Sequence, residues 1–372
     1  MLLFKSASDS TSTSMQFHGL LTVQIEGLFM RKFDLHTPAF RFGIIGIVLA
    51  FAASGAQAGS PFVTFDAPGA STQAGYGTFP AAINGKNVIT GQFIDNSVVY
   101  HGFIGVATGT LTTFDAPGAG TSSNEGTVPT AINLSGTVTG NYIDSHSHGF
   151  VRHSDGSFET FSIATDTNPR GINDRGVVVG QADRIGFLRR ATGIIKTFSV
   201  AGASTTLPVA INNNGVIAGY YYDSSDLTHG FVRAHDGTMT TFDVPGGFDH
   251  VTVTGINAAG DVVGTANNNA AYLAFVRKHD GTFAVFNPSG CPQAFGAAIG
   301  FDGTVVGNCY IVGDFVYHGF TRKPDGTTTM YDPPGAGAFG TFPRSIAANE
   351  KSVGYFTDGA DIYHGYRLNA GH

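Results

Sequence analysis

Five histidines recur in one local setting: His101, His148, His229, His318 and His364 each stand directly before a glycine and an aromatic residue. An acidic residue precedes each by a few positions, namely Asp95, Asp144, Asp223, Asp314 and Asp361. Imidazoles beside carboxylates could form a ring that binds a metal or an anionic ligand. The same pattern also reads as a carboxylate–imidazole hydrogen bond that ties a hairpin and is repeated because the hairpin is repeated. The second reading is preferred, because groups spread over an array cannot converge on one ion at the roughly 2 Å that ligation demands. These histidines are taken as structural and no metal site is expected. Calcium at the Asp-Gly turns stays open as an alternative, although no acidic series with a closing Glu accompanies them.

Catalysis by carboxylates would need a pair. Glutamate is scarce, with only Glu26, Glu125, Glu159 and Glu350 in the chain. The non-repeated Glu125, Asp166 and Asp249 could serve as acid and base on a polysaccharide if about 5–10 Å apart, as hydrolase or lyase chemistry requires. No Gly-x-Ser-x-Gly elbow, zinc motif or phosphate loop occurs, and no cofactor is expected. Specific recognition needs one asymmetric site, so ligand-binding candidates are sought where the repeat breaks. Those residues are Tyr76, Glu125, Asp166, Arg170, His250 and Arg344, with Phe248, Asp249 and Phe339 near them. They are assigned to loops on one face, suited to a glycan or an extracellular protein partner. The leading expectation is a non-enzymatic binding protein, with the polysaccharide-acting enzyme as the alternative and a purely structural surface component as a third reading.

Elements that could hold such a site are legible in the aromatics. Phe103/Phe114, Phe150/Phe161, Phe187/Phe198, Phe231/Phe242, Phe275/Phe286 and Phe320/Tyr331 are each eleven positions apart, with an X-Gly dipeptide midway. X-Gly between apolar runs predicts a hairpin, and a two-residue turn there would set the two aromatics opposite each other on one face. Phe65 and Tyr366 lack partners on their outer sides and form a split seventh pair. The isoleucine of an Ala-Ile-Asn-type element recurs at Ile83, Ile132, Ile172, Ile211, Ile256, Ile299 and Ile346, spacings of 39–49 residues. That length suits a four-stranded propeller blade. The predicted fold is all-β, a seven-bladed propeller with four antiparallel strands per blade. Pairing of Phe62–Asp66 with His364–Leu368 would close it and remove the exposed edges. A β-solenoid or another blade count is the alternative. The Asn of each Ala-Ile-Asn is expected to satisfy turn backbone, and the Asp of Thr-Phe-Asp to order the Pro-Gly turn after it.

The repeated His-Gly-Phe, Asp-Gly-Thr and Ala-Ile-Asn-x-x-Gly-x-Val-x-Gly elements resemble the HAF family of bacterial extracellular repeat proteins. The likeness spans roughly residues 62–372, with Ile185-Gly186-Phe187 and Leu273-Ala274-Phe275 departing by loss of the histidine. The resemblance implies a bacterial, secreted, propeller-like repeat protein and carries no catalytic residues.

Composition sets the outer bounds. Fifty-two glycines, 13% charged and 42% hydrophobic residues in 372 indicate a turn-rich β protein with an ample core. A net charge of −7 without a basic stripe argues against nucleic acid as a partner. Arg31, Lys32 and Arg41, the apolar run Phe42–Ala53 and Ala56-Gln57-Ala58 read in order as a secretory signal peptide over residues 30–58. Its apolar core is too short to span a bilayer. Residues 1–29 are expected to be a start-site artefact or a disordered extension, and 59–372 one propeller domain. The expected location is extracellular, with the periplasm possible. Export makes a disulfide between Cys291 and Cys309 plausible, two free buried thiols being the alternative.

Overall fold

The computed structural model describes residues 60–268, 270–337 and 339–371, so the segments 1–29 and 30–58 lie outside it. The described residues form strands and turns without a helix. Repeat 1 runs Thr78–Ile83, Ile89–Ile94, Tyr100–Gly105 and Leu111–Phe114, each strand antiparallel to the one before. These are the inner, second, third and outer strands. The inner strands of repeats 2 to 7 are Gly126–Ile132, Thr167–Ile172, Thr205–Ile211, His250–Ile256, Gln293–Ile299 and Thr341–Ile346. In repeat 7 the outer strand is Phe62–Phe65, from the other end of the chain. It pairs antiparallel with Tyr363–Leu368, Phe62 facing Leu368 and Phe65 facing Gly365.

Second strands are the most deeply buried. Val178 and Val179 in repeat 3, and Val262 and Val263 in repeat 5, are fully covered on both faces. That is why these strands read as continuous valine runs, whereas the outer strands leave their two central residues in water, as at Thr112-Thr113 and Thr240-Thr241. Each buried Val or Phe contributes roughly 1.5–3 kcal/mol.

The hairpin between third and outer strands differs from the sequence expectation. Gly102, not Phe103, faces Phe114, and the same one-residue offset recurs at Gly149/Phe161 and Gly230/Phe242. The loop holds three residues rather than two. In repeat 2, Gly156 N donates to His153 O at 3.0 Å and His153 N to Ser157 O at 2.8 Å. Gly156 takes the left-handed conformation at φ 91. A type I turn followed by such a glycine is the three-residue hairpin form. A slip of one residue sends alternate side chains to opposite faces. The two aromatics of one repeat are therefore not partners.

They meet across repeats instead. Phe114 stands edge-on to Phe150 of repeat 2 at 6.3 Å between ring centroids, and Phe161 to Phe187 of repeat 3 at 5.9 Å. The same pairing holds for Phe198/Phe231, Phe242/Phe275, Phe286/Phe320 and Tyr331/Tyr366. Phe65 of repeat 7 meets Phe103 of repeat 1 in this way at 6.3 Å. Each such pair adds about 0.5–1.5 kcal/mol beyond its area. Arginines from the third strands cover the outer aromatics of the preceding repeat, as Arg152 does over Phe114 at 4.9 Å and Arg322 over Phe286 at 4.2 Å. The apolar clusters likewise straddle neighbours. Ile83 and Phe103 of repeat 1 pack with Ala347, Val353 and Phe65 of repeat 7.

Two further devices join neighbours. Asn84, Asn133, Asn173 and Asn212 each donate from Nδ2 to the backbone carbonyl of the next repeat's asparagine, at 2.9–3.2 Å. Their Oδ1 atoms accept from the turn that follows, as Asn133 does from Thr137 N at 2.9 Å. Short parallel bridges also link the start of an inner strand to the preceding third strand, at Tyr100↔Gly126 and at Gly77↔Tyr363. A Cβ on Gly126 would lie 2.0 Å from Tyr100 O, and its φ is +123, so only glycine fits there.

Candidate binding channel

The inner strands of all the repeats line one shared cavity of about 790 Å³. Beyond the short parallel bridge at the start of some of them the inner strands are free edges, and five carry a proline at the same place: Pro80, Pro129, Pro169, Pro208 and Pro343. Proline cannot donate to a ladder, so it is confined to such edges and to bulges. A bulge follows directly. The register breaks between Pro169 and Gly171 in repeat 3 and between Pro343 and Ser345 in repeat 7. The extra, unpaired residue is Ala81, Thr130, Arg170, Val209, Thr254, Ala297 or Arg344, and all seven line the cavity. Bulges re-aim a side chain without disturbing the strands around it.

Arg170 and Arg344 are thus strand residues at equivalent positions in repeats 3 and 7, which corrects their assignment to loops. Both are exposed. Among the described residues, no carboxylate lies within ion-pair distance of either guanidinium. No aspartate, glutamate or histidine lines the cavity. Neutral donors and acceptors do: Gln92, Thr252, Thr265, Asn267, Asn308 and Ser345.

Most of the aromatics gather on one side. Tyr272 packs on Phe295 at 5.3 Å, Phe295 on Tyr317 at 6.1 Å, and Tyr317 on Phe342 at 5.2 Å. Phe342 stacks on Tyr355 at 5.3 Å, and Tyr355 meets Phe79 at 5.3 Å. This arc runs from repeat 5 through repeats 6 and 7 to repeat 1. The opposite side, in repeats 2 to 4, offers Val128, Arg170 and Tyr220. Burial pushes the Tyr220 phenol up, and the nearby Arg170 charge opposes that shift. Repeat 3 also has a shortened second-to-third hairpin. Ala182 pairs directly with Ile185, leaving a two-residue turn and a small surface hollow bounded by Ala164 and Arg184.

The other candidates do not line this cavity. Tyr76, Glu125 and Asp166 hold loops through their carbonyls, accepting from Tyr363 N, Tyr100 N and Asp183 N at 2.8–2.9 Å. The Glu125 carboxylate accepts from Ser122 N at 3.0 Å, and that of Asp166 from Ser147 N at 2.9 Å. His250 opens the inner strand of repeat 5, and Asp249 is exposed in the loop before it. Glu125, Asp166 and Asp249 belong to three different inter-strand loops and form no shared pair in the cavity.

The repeated histidines stand apart from the channel, each held on two sides. His229 Nδ1 lies 2.6 Å from Asp243 and Nε2 3.4 Å from Asp223; His318 lies 2.6 Å from Asp332 and 3.0 Å from Asp314. His101 sits between Asp115 and Asp95, and His148 between Ser162 and Asp144. For His364 the partners are Asp66 and Asp358, which replaces the expected Asp361. The Thr-Phe-Asp carboxylates thus go to the imidazoles rather than to the Pro-Gly turn. Partial burial of His229 and His318 disfavours their charged forms, but the flanking carboxylates outweigh it and raise both pKa values. Among the described residues no group of three or more His, Cys, Asp or Glu side chains is arranged to hold a metal ion. Cys291 and Cys309 form a disulfide within repeat 6, Cα atoms 5.8 Å apart.

No family model matches the chain, and no curated protein matches it. Solved structures do. A streptogramin B lyase is 12% identical with a TM-score of 0.56, covering 83% of this chain and 98% of that one. Virginiamycin B lyase from Staphylococcus aureus is 14% identical with a TM-score of 0.53, covering 82% and 99%. The β-propeller domain of the trilobed protease from Pyrococcus furiosus, described as having an open velcro topology, is 11% identical with a TM-score of 0.51, covering 79% and 96%. At these identities the likeness establishes the β-propeller scaffold and nothing of its chemistry. No helix among the described residues is long and apolar enough to cross a membrane.

Proposed function

We propose that this is an exported, non-enzymatic β-propeller of seven blades, closed by its own terminal strands, that binds a glycan at the mouth of its central channel. Closure is supported by the pairing of Phe62–Phe65 with Tyr363–Leu368 and by the packing of Phe65 on Phe103. Export is supported by the charged-apolar-cleavage order of residues 30–58 and by a disulfide, which persists in oxidising compartments. Family-level kinship to HAF repeat proteins rests on the repeated motifs.

One observation carries the binding reading: a cavity of about 790 Å³ with an aromatic wall, neutral hydrogen-bonding groups and two arginines, but no histidine or carboxylate. Stacking faces with a few placed polar groups suit sugar rings. The neighbouring lyases act on other molecules by their own residues. Here neither a histidine nor a carboxylate lines the cavity, so the paired carboxylates of glycosidase chemistry are not found there. The hydrolase or lyase alternative therefore has no pair of groups in its favour.

Glycan-array binding by the purified exported protein, run beside a reducing-sugar release assay, tests this. Binding without turnover, weakened by Phe342→Ala, is expected. Turnover of a bound polysaccharide, or array binding indifferent to Phe342→Ala, would overturn it.

A further inference from the structure

Arg170 and Arg344 occupy the inner-strand bulge of repeats 3 and 7, a position whose side chain varies around the channel, and they differ from the arginines that pack between repeats. Arg152, Arg233 and Arg277 lie over aromatic rings, and Arg189 pairs with Glu159. Those arginines hold the fold. Arg170 and Arg344 are exposed at bulges and carry no carboxylate partner among the described residues. Two cationic forks in a lining without acidic groups stand out against a chain of net charge −7. A guanidinium fork matches a carboxylate bidentately. Clefts lined by one sign of charge also concentrate ligands of the opposite sign.

We propose that the channel selects an acidic oligosaccharide, with sugar rings against the Phe342–Tyr355 side and carboxylates on at least two of its sugars engaged by Arg170 and Arg344. This rests on the channel-binding reading above. Two arginines from repeats 3 and 7, on separate strands, favour a ligand with spaced charges over a single small anion. Thr252, Asn267 and Asn308 face the same space and supply partners for hydroxyls. The volume, about 790 Å³, falls within the range of small-ligand pockets, roughly 300–1,000 Å³, and admits a short oligomer.

The test is calorimetric titration of the purified protein with tetragalacturonate and tetramannuronate, and with neutral galactotetraose of equal length. At least one uronate should bind, at least about tenfold more tightly than the neutral sugar, and more weakly as salt rises. Arg170→Gln and Arg344→Gln should each weaken that binding about tenfold or more, and Lys at either site should restore part of it. Thermal melting checks that the variants fold, which the exposed positions favour. Absence of binding to both uronates, equal affinity for the neutral sugar, or indifference to both arginine variants overturns the proposal. If galactotetraose binds equally and Phe342→Ala weakens it, charge selection falls while the channel reading stands. If neither Phe342→Ala nor the arginine variants change the affinity, both fall. Slow cleavage of a bound uronate would instead sink the non-enzymatic reading and leave acidic selection in place.

Discussion

The outer face and the channel use repetition in opposite ways. At the third strand, five of the repeats keep a histidine clamped between two polar side chains, and the neighbours hardly vary. At the inner-strand bulge the backbone is just as uniform, yet the side chain runs Ala, Thr, Arg, Val, Thr, Ala, Arg. Where the side chain is repeated it holds the blade. Where only the backbone is repeated, the side chain is free to differ, and asymmetry collects there. Specific recognition by a near-symmetric scaffold needs such a position.

The comparison predicts that damage to the repeated parts costs stability and spares binding chemistry. The largest effect is expected for Phe103→Ala, which empties the fully buried contact with Phe65 between repeats 1 and 7. A loss of about 3–5 kcal/mol follows from truncating a buried Phe. Denaturant unfolding measures it, and a loss below about 1 kcal/mol would mean that this interface is loosely packed. Replacing both Cys291 and Cys309 by serine removes a link across a sequence separation of 18 and should cost about 3 kcal/mol by chain entropy. Melting with and without reductant gives the same reading on the unaltered protein. Gly126→Ala comes next. Its φ of +123 and the 2.0 Å approach to Tyr100 O predict a strain of roughly 1–3 kcal/mol, and an unchanged melting temperature would place the bridge wrongly. Arg170→Gln and Arg344→Gln invert the pattern. Stability should change by less than about 0.5 kcal/mol, as for surface positions without structural partners.

How much of this was legible follows the same division. The repeat length, four strands per unit and the joining of Phe62–Phe65 to the C-terminal strand were visible because the valine runs and glycine turns recur in phase. The hairpin register was not. Asp155-Gly156 fits a two-residue and a three-residue loop equally, and only the hydrogen bonds to His153 separate them. That one-residue difference turned expected intra-repeat aromatic pairs into contacts between repeats. Nearby carboxylates such as Asp314 beside His318 could be read from spacing, whereas Asp332, fourteen positions on, comes close only because the hairpin folds back. Arg170 and Arg344 were singled out as breaks in the repeat. Their place on strands was missed because a bulge leaves no mark in the alternation; the proline just before each was the available signal.

The smallest effect separates a tie from a site by its dependence on pH. In the folded protein His229 and His318 titrate above their usual value. A raised histidine stabilises fully below its unfolded pKa of about 6.5, and that gain is lost as pH rises through the folded value. Their partners Asp223 and Asp314 are held low, first by the backbone N–H groups of Ser225 and Val316. That contribution is complete above about pH 4 and is lost on acidification. Stability should therefore plateau between roughly pH 4 and 6.5 and decline on both sides. The ties are partly solvated, so the dependence on pH should be shallow. Replacing His229 and His318 together by asparagine should flatten the alkaline decline measured by melting from pH 6 to 9. An alkaline limb as steep in the double variant as in the parent would remove these ties as its cause. Ligand affinity should follow a different rule over the same window, since none of these histidines lines the channel. If binding tracked the histidine titration instead, the separation drawn between the outer ties and the channel would fail.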